Sequence, residues 1–318
     1  MSSPTSSDVH VDGLLTNVSI AHKNKSYIAD LVFGLVPVQR QSDIVPQYDK
    51  SHWFRDLAKL RAPGTRSERS GFKVDNTAKY FCDRYSFGFE IPDDVRANAQ
   101  APYDLDRDGT AFATDKIQMA REQRFATDFF TTTKWTTDKT GGTDFTKWSD
   151  YGASDPLGDM EASKETVEGL IAESPNVLVL GRQVWTKLKW HPDLIDTIKY
   201  TQRAQMTIDL AAALFELEAI LIGKALTTAT VEGTAEASVT YTRIFGKHAL
   251  LLYRPPTPGL MTPAGGYTFV WQRVPAAIQY IKRIRDEERE VDVIEASSYF
   301  DQKITAADSG LFAYNAVA

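Results

Sequence analysis

A stripe of apolar residues at helical spacing marks the longest predicted element of the chain. Its members recur at intervals of three, four and seven residues and are Phe112, Ala113, Ile117, Met119, Ala120, Ala126 and Phe130. The pattern predicts a helix over about 108–130, roughly 35 Å long. Aspartates precede it and suit its start, because the unpaired N–H groups there favour negative charge. We expect this helix to act as a spine for the surrounding structure.

From residue 160 onward the pattern alternates between helices and strands. Helices are predicted over 160–173, 208–214 and 182–200, the last with a break at His191-Pro192. Continuous apolar runs, which are typical of strands buried on both faces, occupy 176–180, 219–222 and 248–253. Further strands are predicted over 267–271, 299–304 and 311–317, with a charged ribbon over 278–295. The second half of the chain is therefore predicted to be mixed α/β, whereas residues 1–7 have the composition of a disordered tail.

The stretch 49–90 is rich in aromatic and basic residues. It begins with the aromatic pair Trp53-Phe54, turns at Pro63-Gly64 and returns through alternating aromatic residues. This pattern predicts a long two-stranded ribbon that projects from the body. Residues 55–73, which we call the basic loop, contain six basic and two acidic residues and have a net charge of +4.

The sign of the charge reverses in residues 91–115, which we call the acidic segment. It contains six aspartates against Arg96 and Arg107, a net charge of −4. Neither the basic loop nor the acidic segment has an obvious partner nearby in the sequence. We therefore hypothesise that the basic loop docks on the acidic segment of another copy of the chain.

Residues that usually perform catalysis or bind metals do not converge in the sequence. The five histidines lack metal-ligand spacing, and the single cysteine, Cys82, is expected to be a half-buried apolar residue. Residues 104–109 match the first half of a calcium loop, but the twelfth position is Asp115 rather than glutamate. An acidic helix start explains the same residues. No cofactor, metal or enzymatic activity is expected.

Composition and charge narrow the class of protein further. The 318 residues are 42% hydrophobic and 25% charged, which is ordinary for a folded soluble protein. The net charge of −6 argues against a sequence-specific DNA-binding protein, which needs a dominant basic face. No apolar stretch reaches the roughly 18 residues that a membrane helix needs. We expect a soluble intracellular protein with about two domains.

Nine segments follow one another in a specific order. They are LDRDGT (105–110), PNVLVLGRQVW (175–185), HPD (191–193), 208–223, IFGKHALLLYRPP (244–256), GGYTF (265–269), 283–290, YFDQKI (299–304) and LFAYNAV (311–317). In this order they resemble the major capsid proteins of tailed bacteriophages, which have the Hong Kong-97-type or Johnson fold. The resemblance spans about 45–318. It implies an α+β fold of five parts: an N-terminal arm (1–48), an extended E-loop β-hairpin (49–90), a P-domain with spine helix and β-ribbon (91–160), a mixed α/β A-domain (161–284) and P-domain return strands (285–318).

The resemblance also implies a function. Copies of such a protein assemble into hexamers and pentamers that close into an icosahedral head around double-stranded phage DNA. It implies a place in the virion capsid, assembly in the host bacterial cytoplasm, and no membrane partner. Because no long scaffolding segment precedes the arm, we expect a separate scaffolding protein. The resemblance also implies a portal and a decoration protein as partners. Some relatives crosslink a lysine to an asparagine with a glutamate catalyst. Lys59, Lys73 and Lys79 lie on the corresponding loop, but the sequence identifies no partners for them.

Two sets of residues are predicted to form contacts between subunits. The E-loop contacts are Trp53, Phe54, Arg55, Lys59, Arg61, Arg66, Arg69 and Lys73. The acidic docking residues are Asp93, Asp94, Asp104, Asp106 and Asp108. Apolar burial should supply about 25 cal/mol per Å² of interface, and ionic pairing should set the orientation. Two alternatives stay open: the shell of an encapsulin-like nanocompartment, and a hydrolytic enzyme with a carboxylate pair in a cleft.

Overall fold

A computed structural model describes residues 27–45, 47–48, 50–99, 103–198, 206–259, 262–273 and 278–318. The predicted tail at residues 1–7 and more than half of the predicted arm lie outside the described residues, as does the side chain of Trp53. Within these ranges, no helix combines the length and the apolar character needed to cross a membrane.

The described residues form eight α-helices. They are α1 (Ala29–Val32), α2 (Lys50–Trp53), α3 (Asp93–Asn98), α4 (Leu105–Phe129), α5 (Pro156–Ile171), α6 (Arg182–Leu188), α7 (Pro192–Ile198) and α8 (Ile208–Leu214). Helix α4 is the predicted spine. It begins where the Asp104 carboxylate accepts a hydrogen bond from the backbone N–H of Arg107 at 3.1 Å, so residues 104–109 start a helix and do not form a calcium loop.

The strands of the first half are β1 (Gly34–Val38), β2 (Ser42–Ile44), β3 (Gln47–Tyr48), β4 (Val74–Asp75), β5 (Lys79–Phe81), β6 (Asp83–Pro92) and β7 (Thr137–Thr140). Those of the second half are β8 (Val177–Gly181), β9 (Ala219–Gly223), β10 (Leu226–Thr228), β11 (Tyr241–Arg243), β12 (Ala249–Leu252), β13 (Gly266–Trp271), β14 (Tyr280–Asp286), β15 (Val291–Ile304) and β16 (Gly310–Tyr314).

The first large sheet is built around the 14-residue strand β15. Strand β6 pairs with one edge of β15, while β14 and then β13 pair with the other edge, and β1 lies outside β13. Helix α4 crosses one face of this sheet, where Ala113 and Ile117 pack against Ala296 of β15. Tyr85 and Phe87 of β6 complete this contact, because alternate residues of a strand face the same side.

The second large sheet has the order β7-β16-β12-β8-β9 and explains the continuous apolar runs of the sequence. Leu178 and Leu180 of β8 face the cluster that packs on helices α5 to α8. Val177 and Val179 face the opposite cluster, which contains the end of α4 and Phe33. Both faces of β8 are thus covered, which explains why its apolar residues run on without alternation.

The stretch 49–90 differs from the predicted long ribbon. Residues 54–73 contain no strand, and only the short pairs β3–β4 and β2–β5 join the two sides of this excursion. Strand β6 pairs instead with β15 over ten residue pairs. The reason is that its alternating aromatic side chains pack towards α4, whereas the basic loop has no apolar alternation to bury.

Two strand pairings bear on the predicted five-part division of the chain, which stays a prediction. The boundary between residues 284 and 285 falls inside β14. The segment 285–318 contributes β15 to the first sheet, but its last strand, β16, pairs with β12 and β7 in the second. The end of the chain therefore joins the two sheets.

Candidate functional site

Metal-binding clusters are not apparent where the chain is described. No group of three or more His, Cys, Asp or Glu side chains converges there in a way that would hold a metal ion. Cys82 is buried beside Phe269 and Tyr299, and burial raises the pKa of its thiol to about 12. Such a thiol is almost entirely protonated at neutral pH and is a poor nucleophile.

The basic loop is the most exposed segment of the described chain. Leu60 is 104% exposed, Phe72 near the end of the loop is 55% exposed, and Phe54 just before the loop is 60% exposed. Large apolar side chains in this position mark a contact site when they lie together. The loop supplies the predicted E-loop cations, and all six are exposed: Arg55, Lys59, Arg61, Arg66, Arg69 and Lys73.

Few of these cations are held by the chain itself. Lys59 lies 3.5 Å from a carboxylate oxygen of Glu68, and Arg61 Nε donates to the carbonyl of Thr65 at 2.6 Å. The other four cations have no ion pair with the described residues. Exposed ion pairs in water contribute little free energy. The loop can therefore give up its few internal contacts at a small cost in free energy when a partner binds.

A cleft of about 780 Å³ lies at the root of this excursion. Its apolar lining includes Val36, Ile44, Tyr80, Leu170 and Phe269. At its border the ion pair between Lys50 and Asp308 joins α2 to the turn between β15 and β16. The stretch 49–90 is therefore attached to the body at its base, while the basic loop at its tip is exposed.

The acidic segment is not free, and this corrects the prediction that it lacks a local partner. Arg285 binds Asp93 with two hydrogen bonds of 2.6 Å and holds the pKa of that carboxyl below its usual value. Asp106 accepts from Arg96 at 2.9 Å and from Arg283 at 2.8 Å. Asp104 caps α4. Of the five predicted docking residues, Asp94 and Asp108 stay exposed without an ion pair to a described residue.

The arginines of β14 and of the turn after it supply the partners of these carboxylates. Arg283 and Arg285 of β14 bind Asp106 and Asp93, and Arg289 of the turn binds Glu90 of the same chain. These partners lie far apart in sequence and meet because β6 and β14 flank β15.

A second site that the sequence did not reveal anchors residues 27–33, which we call the arm anchor, to the spine helix. Phe33 is fully buried against Phe125 and Phe129, with ring centroids 5.0 and 5.1 Å apart. Glu122 of α4 accepts hydrogen bonds from the backbone N–H groups of Ile28 and Ala29. The signal in the sequence was a carboxylate on the apolar face of α4, three residues before Phe125.

No protein-family model matches the chain. Two relatives named major capsid protein are similar over almost its whole length. The protein of Burkholderia phage BcepMu is 27% identical over 94% of each chain. That of Pseudomonas phage JBD67 is 28% identical over 97% of each chain.

Solved structures extend the similarity to the fold. A phage-related protein from Bordetella bronchiseptica matches 96% of this chain and 97% of its own, with a TM-score of 0.71 and 21% identity. The capsid of cyanophage P-SCSP1u matches 96% and 93%, with a TM-score of 0.63 and 13% identity. The SrpI encapsulin of Synechococcus elongatus matches 96% and 95%, with a TM-score of 0.51 and 9% identity. On sequence and fold together, the chain is similar over almost its whole length to bacteriophage proteins named major capsid protein, and it shares the fold of solved phage capsid proteins.

Proposed function

We propose that copies of this chain assemble into hexamers and pentamers, which close into an icosahedral head around double-stranded phage DNA in the host bacterial cytoplasm. The observation on which this rests is the basic loop, where Leu60 is fully exposed and the cations Arg55, Arg66, Arg69 and Lys73 form no ion pair with a described residue. The apolar side chains of such a loop lower the free energy only when another molecule covers them and removes them from water. A repeated head-to-tail contact between identical copies can close into rings and shells.

The proposed partners of the shell are a scaffolding protein, a portal and a decoration protein. The named contacts between subunits are the E-loop residues, with Phe54 and Leu60 providing apolar area and the cations providing orientation. On the receiving copy, Asp94 and Asp108 are the acidic-segment residues whose carboxylates are open to a neighbour. The docking is thus proposed with fewer acidic partners than the sequence suggested.

Electron microscopy of the protein, expressed alone and with its scaffolding partner, tests the assembly. We expect closed particles that protect double-stranded DNA from nuclease when they are formed during infection. Particles filled with cargo protein and free of DNA would favour the encapsulin-like alternative. A small soluble oligomer that never forms shells under either condition would contradict both.

Charge reversal tests the docking surface. The double variant Arg66→Glu with Arg69→Glu should lose most capsomer formation, because two exposed cations would become anions facing a negative surface. The matched control is Arg66→Lys with Arg69→Lys, which keeps the charge and should assemble. Sedimentation at low and moderate salt measures the yield of capsomers. Normal assembly of the reversed variant at low salt would refute the docking.

A further inference from the structure

Glu122 is buried where few groups stabilise the negative charge of its carboxylate. The residue has 0% exposure, although it carries an ionisable group. The N–H of Ile28 lies 3.0 Å from both carboxylate oxygens, and the N–H of Ala29 lies 2.7 Å from Oε2. These donors are neutral, and no cation pairs with Glu122 among the described residues. A buried carboxylate without a cation binds a proton more readily than one in water.

The neighbouring charges reinforce this effect. Asp30 lies on α1, and its charge opposes ionisation of Glu122. The adjacent cation, Arg121, is engaged elsewhere: it binds Asp30 at 2.6 Å, reaches Ser298 of β15 at 3.3 Å and covers the Phe300 ring. Burial, with a smaller contribution from Asp30, raises the pKa of Glu122 to about 7, against the opposing effect of the two backbone N–H groups.

We propose that Glu122 is a proton-controlled clasp, which holds the arm anchor on the spine helix more firmly when its carboxyl is protonated and releases it more easily when ionised. The direction follows from linkage. When the anchor lifts off, the carboxyl enters water and regains its ordinary pKa of 4.5. The closed state therefore binds the proton more tightly, and raising the pH from 5 to 8 favours opening.

The inference goes beyond shell formation, because it concerns a switch inside one chain. The arm anchor is the point where residues 1–26 join the described structure. Its opening would free the carbonyl and amide groups that now bond within 28–33. The backbone of this segment is a direct reporter, since the N–H groups of Ile28 and Ala29 bind Glu122 itself.

Hydrogen–deuterium exchange of the full-length protein tests the clasp. After correction for the intrinsic pH dependence of exchange, protection of the Ile28 and Ala29 amides should fall on the order of 10- to 100-fold between pH 5 and pH 8. The side chain of Glu122→Gln keeps a hydrogen-bond acceptor and stays neutral at every pH. Protection of the Ile28 and Ala29 amides in this variant should therefore not change with pH. The control Asp128→Asn alters an exposed carboxylate of the same helix and should keep the wild-type dependence.

Wild-type protection that does not change with pH would overturn the proposal, as would a wild-type pH dependence in Glu122→Gln. If Glu122→Gln does not fold, Asp30→Asn decides the question. Removing the negative charge of Asp30 should move the midpoint of the transition to lower pH, because that charge now raises the pKa of Glu122. An unchanged midpoint would overturn the proposal.

Discussion

At the residue scale, glycines determine where the large aromatic side chains can lie. Gly310 of β16 packs directly against the ring of Trp135, and an added Cβ would overlap that ring. Trp135 cannot easily move, because it is 4% exposed and its indole N–H donates to the carbonyl of Phe129 at 2.8 Å. Its ring also contacts Phe33 of the arm anchor. One missing methyl group therefore allows three parts of the chain to meet.

Gly310→Ala should consequently lower the free energy of unfolding by about 1–3 kcal/mol, as overpacking of a core does. The control is Gly169→Ala on the exposed face of α5, where an added Cβ meets no atom within 4 Å. That substitution should stabilise the protein by about 0.8–1 kcal/mol, because alanine favours the helix. Urea unfolding of both variants measures the difference. Equal stabilities of Gly310→Ala and wild type would show that Trp135 is free to shift.

The roles of single residues were the least accessible to sequence reasoning. The stripe from Phe112 to Phe130 predicted the helix, because helical spacing is a local property. The function of Glu122 depends on amides 93 and 94 positions away, and no local pattern encodes such a contact. The same applies to Asp93, whose partner Arg285 is 192 positions away.

At the element scale, ion pairs fix β14 and the start of α4 to the rest of the first sheet. Arg285 reaches across to α3, Arg289 binds Glu90 of β6 with two hydrogen bonds of 3.0 and 2.8 Å, and Arg283 binds Asp106. β14 itself is an edge strand whose other side chains are mostly exposed. Its attachment therefore depends on charge more than on apolar burial.

Acid should loosen this strand. Hydrogen bonds from Arg285 and Arg289 lower the pKa values of Asp93 and Glu90 below 3.8 and 4.5. These ion pairs therefore stabilise the fold at pH values above the ordinary pKa values of the two carboxyls. That stability is lost as the pH falls through the lowered pKa values. We expect amide protection in β14 to decrease as the pH falls below the ordinary pKa values of these two carboxyls. Hydrogen–deuterium exchange measures it.

The variant Arg285→Gln should show this lower protection already at neutral pH. Lys282→Gln on the same strand is the control, because Lys282 forms no ion pair with a described residue. Equal protection of β14 in the two variants would mean that pairing with β15 alone holds the strand.

The elements themselves were largely predictable. Helices α4, α5 and α8 and strands β8, β9, β12 and β13 confirm the predictions, because their apolar patterns are strong and uninterrupted. The prediction of a long ribbon in 49–90 was wrong. The aromatic alternation of β6 is compatible with pairing to any neighbouring strand, and the sequence does not indicate which strand that is.

At the scale of the whole molecule, the basic loop is an open appendage on the body of the described chain. Both sheets pack against α4 and the arm anchor. Two clusters of buried apolar residues cover the two faces of β8. The basic loop lies outside all of these clusters. Folding and assembly should therefore respond to different substitutions.

Leu60→Asp should leave folding unchanged, because the side chain is fully exposed in the single chain. It should reduce shell formation strongly, because a charge would be buried at the contact proposed for the loop. Leu60→Met keeps an apolar side chain of similar volume and is the matched control. Circular dichroism and particle counts by electron microscopy measure the two properties. Full assembly of Leu60→Asp would remove Leu60 from the contact.

Strand β15 has a mechanical consequence. It is bonded to β6 along one edge and to β14 and β13 along the other, and these bonds lie across its length. A pull along the strand from the β14–β15 turn would load many of these bonds in shear at the same time instead of peeling them one by one. Tension at one end of the molecule would thus reach the second sheet through a single unbroken backbone, which continues from β15 into β16.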